Sequence, residues 1–134
     1  MIVHGGGDQL CTESGVEMAV ELKRLAGSVF ILLDSERKVE GGDAKAPREW
    51  FRAQMQRLDI RVHLTERRAL ENYFPDAAVQ RAFGPDVKAL KAFEPHDSGR
   101  WRKRENWRIV REITSDELEE NDVVRFLREV VAKK

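Results

Sequence analysis

Val29-Phe30-Ile31-Leu32-Leu33 is a continuous apolar run, closed by the polar residues Asp34-Ser35-Glu36-Arg37. A run without alternation predicts a strand buried on both faces, as in the middle of a parallel sheet. Ahead of it, Val16, Ala19, Val20, Leu22, Leu25 and Ala26 recur at helical spacing between Glu13, Glu17, Glu21 and Lys23. This predicts a helix from Thr12 to Ala26, stopped by Gly27. Ile2-Val3, running into Gly5-Gly6-Gly7, predicts a short strand and a glycine turn. After the run, Lys38 to Ala46 is polar and reads as a loop. Pro47 opens a helix with Trp50, Phe51, Met55 and Leu58 on its inner face. Ile60-Arg61-Val62-His63-Leu64 alternates, which predicts a strand with one face less protected, His63 facing outward.

Beyond Leu64 the period becomes helical. Short patterns run from Ala69 to Phe74, Asp76 to Phe83 and Pro85 to Phe93, punctuated by Pro75, Gly84 and Pro95. Trp107, Val110 and Ile113 predict a helix within Trp101 to Ile113. Thr114-Ser115-Asp116-Glu117 has the capping-box pattern. A helix from Asp122 to Ala132 carries Val123, Val124, Leu127, Val130 and Val131 on one stripe. The order strand, helix, strand, helix, strand, then helices predicts an α/β fold: a small parallel sheet flanked by helices, with a helical C-terminal part. A single domain over residues 1–134 is expected, with an α/β core at 1–74 and the helical part at 75–134.

Composition narrows the function classes. Lys+Arg and Asp+Glu both total 24, so the formal net charge is zero even though 36% of residues are charged. That excludes a binder driven by bulk positive charge and leaves room for a local basic patch. One cysteine, Cys11, excludes an internal disulfide framework and a cysteine-built zinc site, and it reads as an inert thiol. No apolar run approaches the ~20 residues of a bilayer span, and no signal peptide is visible. A cytoplasmic protein without membrane contact is the expectation.

Candidate chemistry gathers where strands end, because ligand sites of open parallel sheets lie at their carboxyl ends. Asp34 and Glu36, one residue apart, would repel unless a cation sits between them, and a hard divalent metal is one such cation. The competing reading is a solvated loop neutralised by Arg37 and Lys38. After the third strand, Glu71 falls in a helical first turn, which suits a carboxylate, whether as a third metal ligand or for the helix alone. Arg67 or Arg68 would then face phosphate. Arg100-Trp101-Arg102-Lys103-Arg104-Glu105-Asn106-Trp107-Arg108 interleaves cations with two tryptophans, as a phosphate-contacting patch with stacking capacity would. Its alternative is a charge complement to Asp116, Glu117, Glu119, Glu120 and Asp122. The glycine triplet lacks nucleotide-binding spacing, and His4, His63 and His96 form no ligand pair.

Val29 to Arg37 resembles the strand and DxD motif of the TOPRIM domains of the OLD (overcoming lysogenisation defect) type. Val62 to Phe74, with Arg68-Ala69-Leu70-Glu71-Asn72-Tyr73, resembles that family's RxxENY segment. Trp101-Arg102-Lys103 and Asn106 to Val110 are similar to the basic stretch that carries its active-site lysine. The resemblance implies a Rossmann-like TOPRIM sheet and metal-dependent phosphodiester cleavage of DNA, in anti-phage systems built with ABC-like ATPases. It implies Asp34, Glu36 and Glu71 as catalytic ligands of Mg²⁺ or Mn²⁺, and Lys103 as the catalytic lysine. Arg67, Arg68, Arg102, Lys103 and Arg104 become the candidate nucleic-acid contacts.

The chain departs from the family at two places. Glu36 stands where the motif has Asp, and the first strand, with its catalytic Glu and following Gly, has no counterpart. One alignment places His4 at that Glu; the other makes Ile2 to Gly7 the family's second strand and puts the first outside this chain. Little or no activity in isolation is therefore expected. A partner ATPase domain or upstream polypeptide is expected, as is self-association through the unpaired edge of Val29 to Leu33. The competing function classes are a non-catalytic nucleic-acid- or ATPase-binding module and a small receiver-like interaction module.

Overall fold

A computed structural model describes residues 2–5 and 8–133. Gly6 and Gly7 of the glycine turn lie outside the described residues. The elements are β1 (Ile2–Gly5), α1 (Glu13–Ala26), β2 (Phe30–Leu33), α2 (Ala46–Arg57), β3 (Arg61–Leu64), α3 (Asp76–Phe83), α4 (Asn106–Glu112) and α5 (Asp122–Ala132). Short 3₁₀ turns occupy Leu70–Tyr73, Lys103–Glu105 and Ser115–Glu117. The fold is mixed α/β with a parallel sheet in the order β1-β2-β3. Among the described residues no helix is long and apolar enough to cross a membrane.

β2 is the central strand: His4 pairs with Leu32 on one side and Leu32 with His63 on the other. Its run therefore has the two neighbours that its apolar character demands, which corrects the expectation of an unpaired edge there. The faces of β2 divide its side chains. Ile31 and Leu33 join Ala19, Phe51, Met55 and Leu64 in a core under α1 and α2. Phe30 and Leu32 turn to Val123, Phe126 and Val130 of α5. The result is a layer of two helices, a sheet, and a single helix from the other half of the sequence. A third cluster, with Phe74, Val79, Leu90, Trp101 and Ile109, holds α3 to α4 beside the sheet.

Local chemistry explains the helix ends. Thr12 caps α1, its hydroxyl accepting from the Gly15 N–H at 3.2 Å, and Gly27 ends it at φ 77°. Gly15 is also a steric requirement, since a Cβ there would lie 1.8 Å from the Leu10 carbonyl oxygen. Asn121 caps α5 by accepting from Val124 N–H at 2.9 Å.

Some helix faces differ from the sequence pattern. In α2 Phe51 and Met55 are buried as expected, but Trp50 is 39% exposed and Arg48 only 2%. Arg48 turns inward because Asp8 and the Asp34 carbonyl satisfy its guanidinium. Pro85 to Phe93 forms no helix. Side chains take backbone groups of the segment and the residue after it: Asp76 accepts from Ala89 N–H, and Asn72 donates to the Lys91 and Glu94 carbonyls. In α4 the buried residue is Ile109, while Trp107 and Val110 face solvent. In α5 Phe126 is inside and Leu127 and Val131 outside. The Thr114–Glu117 capping box forms, and it opens a 3₁₀ turn.

Candidate functional site

The loops leaving β2 and β3 at their carboxyl ends are laced together. Thr65 N–H extends the strand pairing to the Leu33 carbonyl at 3.1 Å. The Ser35 N–H donates to Thr65 Oγ1 at 3.0 Å, the Ser35 hydroxyl donates to the Arg67 carbonyl at 2.9 Å, and Glu36 N–H reaches the Arg68 carbonyl at 2.9 Å. Ser35 and Thr65 are fully buried, so these bonds are the ones that satisfy polar groups otherwise stranded in the core. Glu36 sits at φ 59°, a left-handed conformation uncommon for a residue with a side chain. The lacing holds it there.

This frame positions the acids. Asp34 Oδ1 accepts from the Leu70 N–H at 2.8 Å, at the start of the 3₁₀ turn in which Glu71 is the next residue. Glu71 is buried; its Oε1 accepts from Asn106 Nδ2 at 3.1 Å and lies 3.6 Å from Lys103 Nζ. Its Oε2 is buried with no hydrogen-bond partner among the described residues. Asp34, Glu71 and Lys103, three expected site residues from three separate segments, thus join one connected set.

Glu36 takes a different partner, lying 3.6 Å from Arg68 Nη2. Arg37, expected to neutralise the acids, donates to the Thr65 and Gly42 carbonyls. Beside Glu36 and Arg68 opens a cleft of about 510 Å³, lined also by Lys38, Asp43 and Lys45. Among the described residues no group of three His, Cys, Asp or Glu side chains is placed to share a metal ion, so Asp34, Glu36 and Glu71 do not converge on one point. Oxygen donors suit a hard cation, and the orphaned Oε2 of Glu71 suits one directly. Asp34 is tied to the Leu70 N–H one residue before Glu71, and Glu36 is committed to Arg68.

The basic residues split into two groups. Arg67 donates to the Asn72 carbonyl at 3.0 Å and lies over the Tyr73 ring at 4.8 Å. Arg102 and Arg104 are exposed and pair with no carboxylate among the described residues. The acidic stretch is not their complement: Glu117 pairs with Arg81 and Glu120 with Arg128. Of the RxxENY segment, Asn72 and Tyr73 serve as scaffold. Asn72 holds the turn and the loop after α3, its Oδ1 accepting from Ala69 N–H at 3.0 Å.

Two polar centres had no clear sequence signal. Asp122, the first residue of α5, is buried and accepts from Tyr73 Oη and His63 Nε2, both at 2.6 Å, and from Glu66 N–H at 3.0 Å. Burial alone would raise its pKa, but the bonds from His63, Tyr73 and Glu66 prevail and hold it at about 2. Burial and the neighbouring carboxylate push the Tyr73 hydroxyl well above its ordinary value. His63 is therefore a tied residue, stacked on Phe126 at 5.2 Å, rather than an outward-facing one. The second centre is Asp8, bonded to Lys45 and Arg48 at 3.0 Å each. Lys45 and then Arg48 hold its carboxyl below the usual range. Burial pushes the neighbouring Cys11 thiol up, which fits an unreactive thiol.

Comparison with family models, curated proteins and solved structures gave no match to this chain.

Proposed function

We propose that this chain is the Rossmann-like TOPRIM portion of an OLD-type, metal-dependent DNA nuclease, and that it supplies part of a catalytic site completed by another segment. The observation that carries the reading is the joining of Asp34, Glu71 and Lys103 at the carboxyl end of the central strand, with one buried Glu71 oxygen left without a partner among the described residues. A bound Mg²⁺ or Mn²⁺ would supply charge stabilisation at a phosphodiester and a more acidic water. Asp34 and Glu71 would hold it. Lys103 carries its ammonium beside Glu71, half-exposed, where it can meet a phosphoryl oxygen without leaving its ion pair. Glu36 supports the loop through Arg68 and joins the ligand set only after that pair opens.

The glutamate that the resembled family carries on its first strand would come from a partner polypeptide, with an ABC-like ATPase as the partner of the assembled enzyme and anti-phage defence as its setting. Slow turnover in isolation follows, because losing one group that stabilises the transition state costs on the order of 10²–10³ in rate. A second reading, non-catalytic nucleic-acid binding, is favoured by one observation: Arg102 and Arg104 face solvent without an acidic partner among the described residues.

Nicking of supercoiled plasmid by the purified chain, with Mg²⁺ and separately Mn²⁺, tests the choice beside Asp34→Ala. Weak metal-dependent nicking that Asp34→Ala abolishes is the expected result. Salt-dependent DNA binding without nicking, even after an upstream Glu-bearing strand is restored, would replace the nuclease reading with the second one. A chain that neither cuts nor binds DNA would overturn both.

A further inference from the structure

The two tryptophans of the basic segment have opposite fates. Trp101 is buried: its indole N–H donates to Asn106 Oδ1 at 2.8 Å, and its ring stacks on Phe83 with centroids 6.2 Å apart. That ring is part of the core. Trp107 is 59% exposed, and the Arg111 guanidinium lies over its ring, 5.4 Å from the centroid. A large aromatic surface left in water contributes less to stability than the buried ring of Trp101 does.

The surroundings of Trp107 are cationic. Arg104, Trp107 and Arg111 fall at i, i+3 and i+7 along a continuous 3₁₀-to-α segment, which sets them on one side of it. Arg102, Arg104 and Arg111 pair with no carboxylate among the described residues. Their neighbours are paired: Arg100 with Glu94 and Asp97, Arg108 with Glu105, Lys103 with Glu71. The cations left open are therefore those flanking the exposed indole.

We propose that this face binds single-stranded nucleic acid, a base stacking on Trp107 while Arg104 and Arg111 hold the flanking phosphates. The proposal rests on the nucleic-acid part of the reading above and names the form of the substrate. The exposed indole offers a π-face on which an unstacked base can stack, with Arg111 swinging from the ring to a phosphate, whereas a duplex presents phosphates and base edges. Unpartnered arginines on both sides complement a polyanion, which favours nucleic acid over a second copy of this chain with its zero formal net charge. The face also adjoins the candidate site, since Asn106, next to Trp107, donates to Glu71. A strand laid over Trp107 would run toward Lys103.

Fluorescence anisotropy with labelled oligo-dT, oligo-U and a duplex of equal length, in EDTA, tests this independently of cleavage. Single strands should bind more tightly than the duplex and quench tryptophan emission. Trp107→Ala should weaken single-strand binding about tenfold and leave the duplex unaffected, with an unchanged circular dichroism spectrum because the side chain is exposed. Trp107→Phe should restore most of the affinity. Arg104→Ala should lower the slope of log K against log salt by about 0.7. Tighter binding of either oligo-dT or oligo-U than of the duplex supports the proposal, and oligo-dU beside oligo-U isolates the contribution of the sugar.

Equal affinity of Trp107→Ala and the parent for single strands would overturn it. So would concentration-dependent self-association that Trp107→Ala abolishes and oligonucleotide does not affect. Because no metal is present, such a failure would leave metal-dependent nicking, and its loss in Asp34→Ala, as a separate result.

Discussion

The hydroxyl of Tyr73 donates a 2.6 Å hydrogen bond to Oδ1 of Asp122, joining the turn after β3 to the first residue of α5. The same hydroxyl accepts from the Arg67 N–H at 3.0 Å, so one side chain ties the candidate-site loop to the helix on the sheet's second face. Tyr73→Phe removes both bonds and leaves a buried carboxylate short of a donor. A loss of about 1–3 kcal/mol in unfolding free energy is expected in urea melts, with an unchanged m-value.

The Asp122 carboxyl has a consequence for acid stability. Its pKa falls from 3.8 to about 2 on folding, so its ionised form is favoured in the native state. That stability is fully present above pH 3.8 and is lost as the pH drops through about 2. The shift corresponds to roughly 2 kcal/mol. Unfolding free energy measured from pH 5 to pH 2 should decline less steeply in Asp122→Asn than in the parent by about this amount. An identical acid limb in the two proteins would contradict the assignment.

Gly15→Ala should be among the most damaging single-methyl additions in this chain. The new Cβ would meet backbone, the Leu10 carbonyl oxygen at 1.8 Å, and a main chain cannot rotate away as a side chain can. A cost of about 2 kcal/mol or more is expected, read as a fall in Tm. Gain or neutrality, as helix propensity alone would give, would show that the start of α1 shifts freely.

Metal affinity offers a readout that does not depend on turnover. A cation held by Asp34 and Glu71 should raise the Tm by about 5 °C at tenfold excess over its Kd. Glu71→Gln should remove that rise while leaving the metal-free Tm near the parent value. A Mg²⁺ or Mn²⁺ effect that survives Glu71→Gln would place the cation elsewhere.

The sheet and its first two helices were legible because the signal lay in consecutive residues. An unbroken apolar run such as Val29 to Leu33 has few ways to be buried except as an inner strand, and Thr12 and Gly27 mark helix ends by their own chemistry. Long-range partners erased that legibility. Arg48, one residue after Pro47, reads as surface charge, yet Asp8 and the Asp34 carbonyl draw it inside. His63 and Asp122 are far apart in the sequence, and each alone is an ordinary polar residue at an element boundary. The spacing of Trp107 and Val110 mimics an inner face, but the pocket formed by α3 and Trp101 receives Ile109. At the candidate site, the residue types at Asp34, Glu71 and Lys103 were visible, while the diversion of Glu36 to Arg68 depends on a left-handed backbone that no residue pattern announces.

The layer closing the sheet's second face comes from α5, long after β3 in the chain. During synthesis, at roughly 5–20 residues per second, Leu32 and Phe30 wait some seconds for Val123, Phe126 and Val130 to emerge. In that interval the nascent sheet has one greasy side and an unanswered His63. The order of the elements thus leaves that face of the sheet uncovered until α5 has been made.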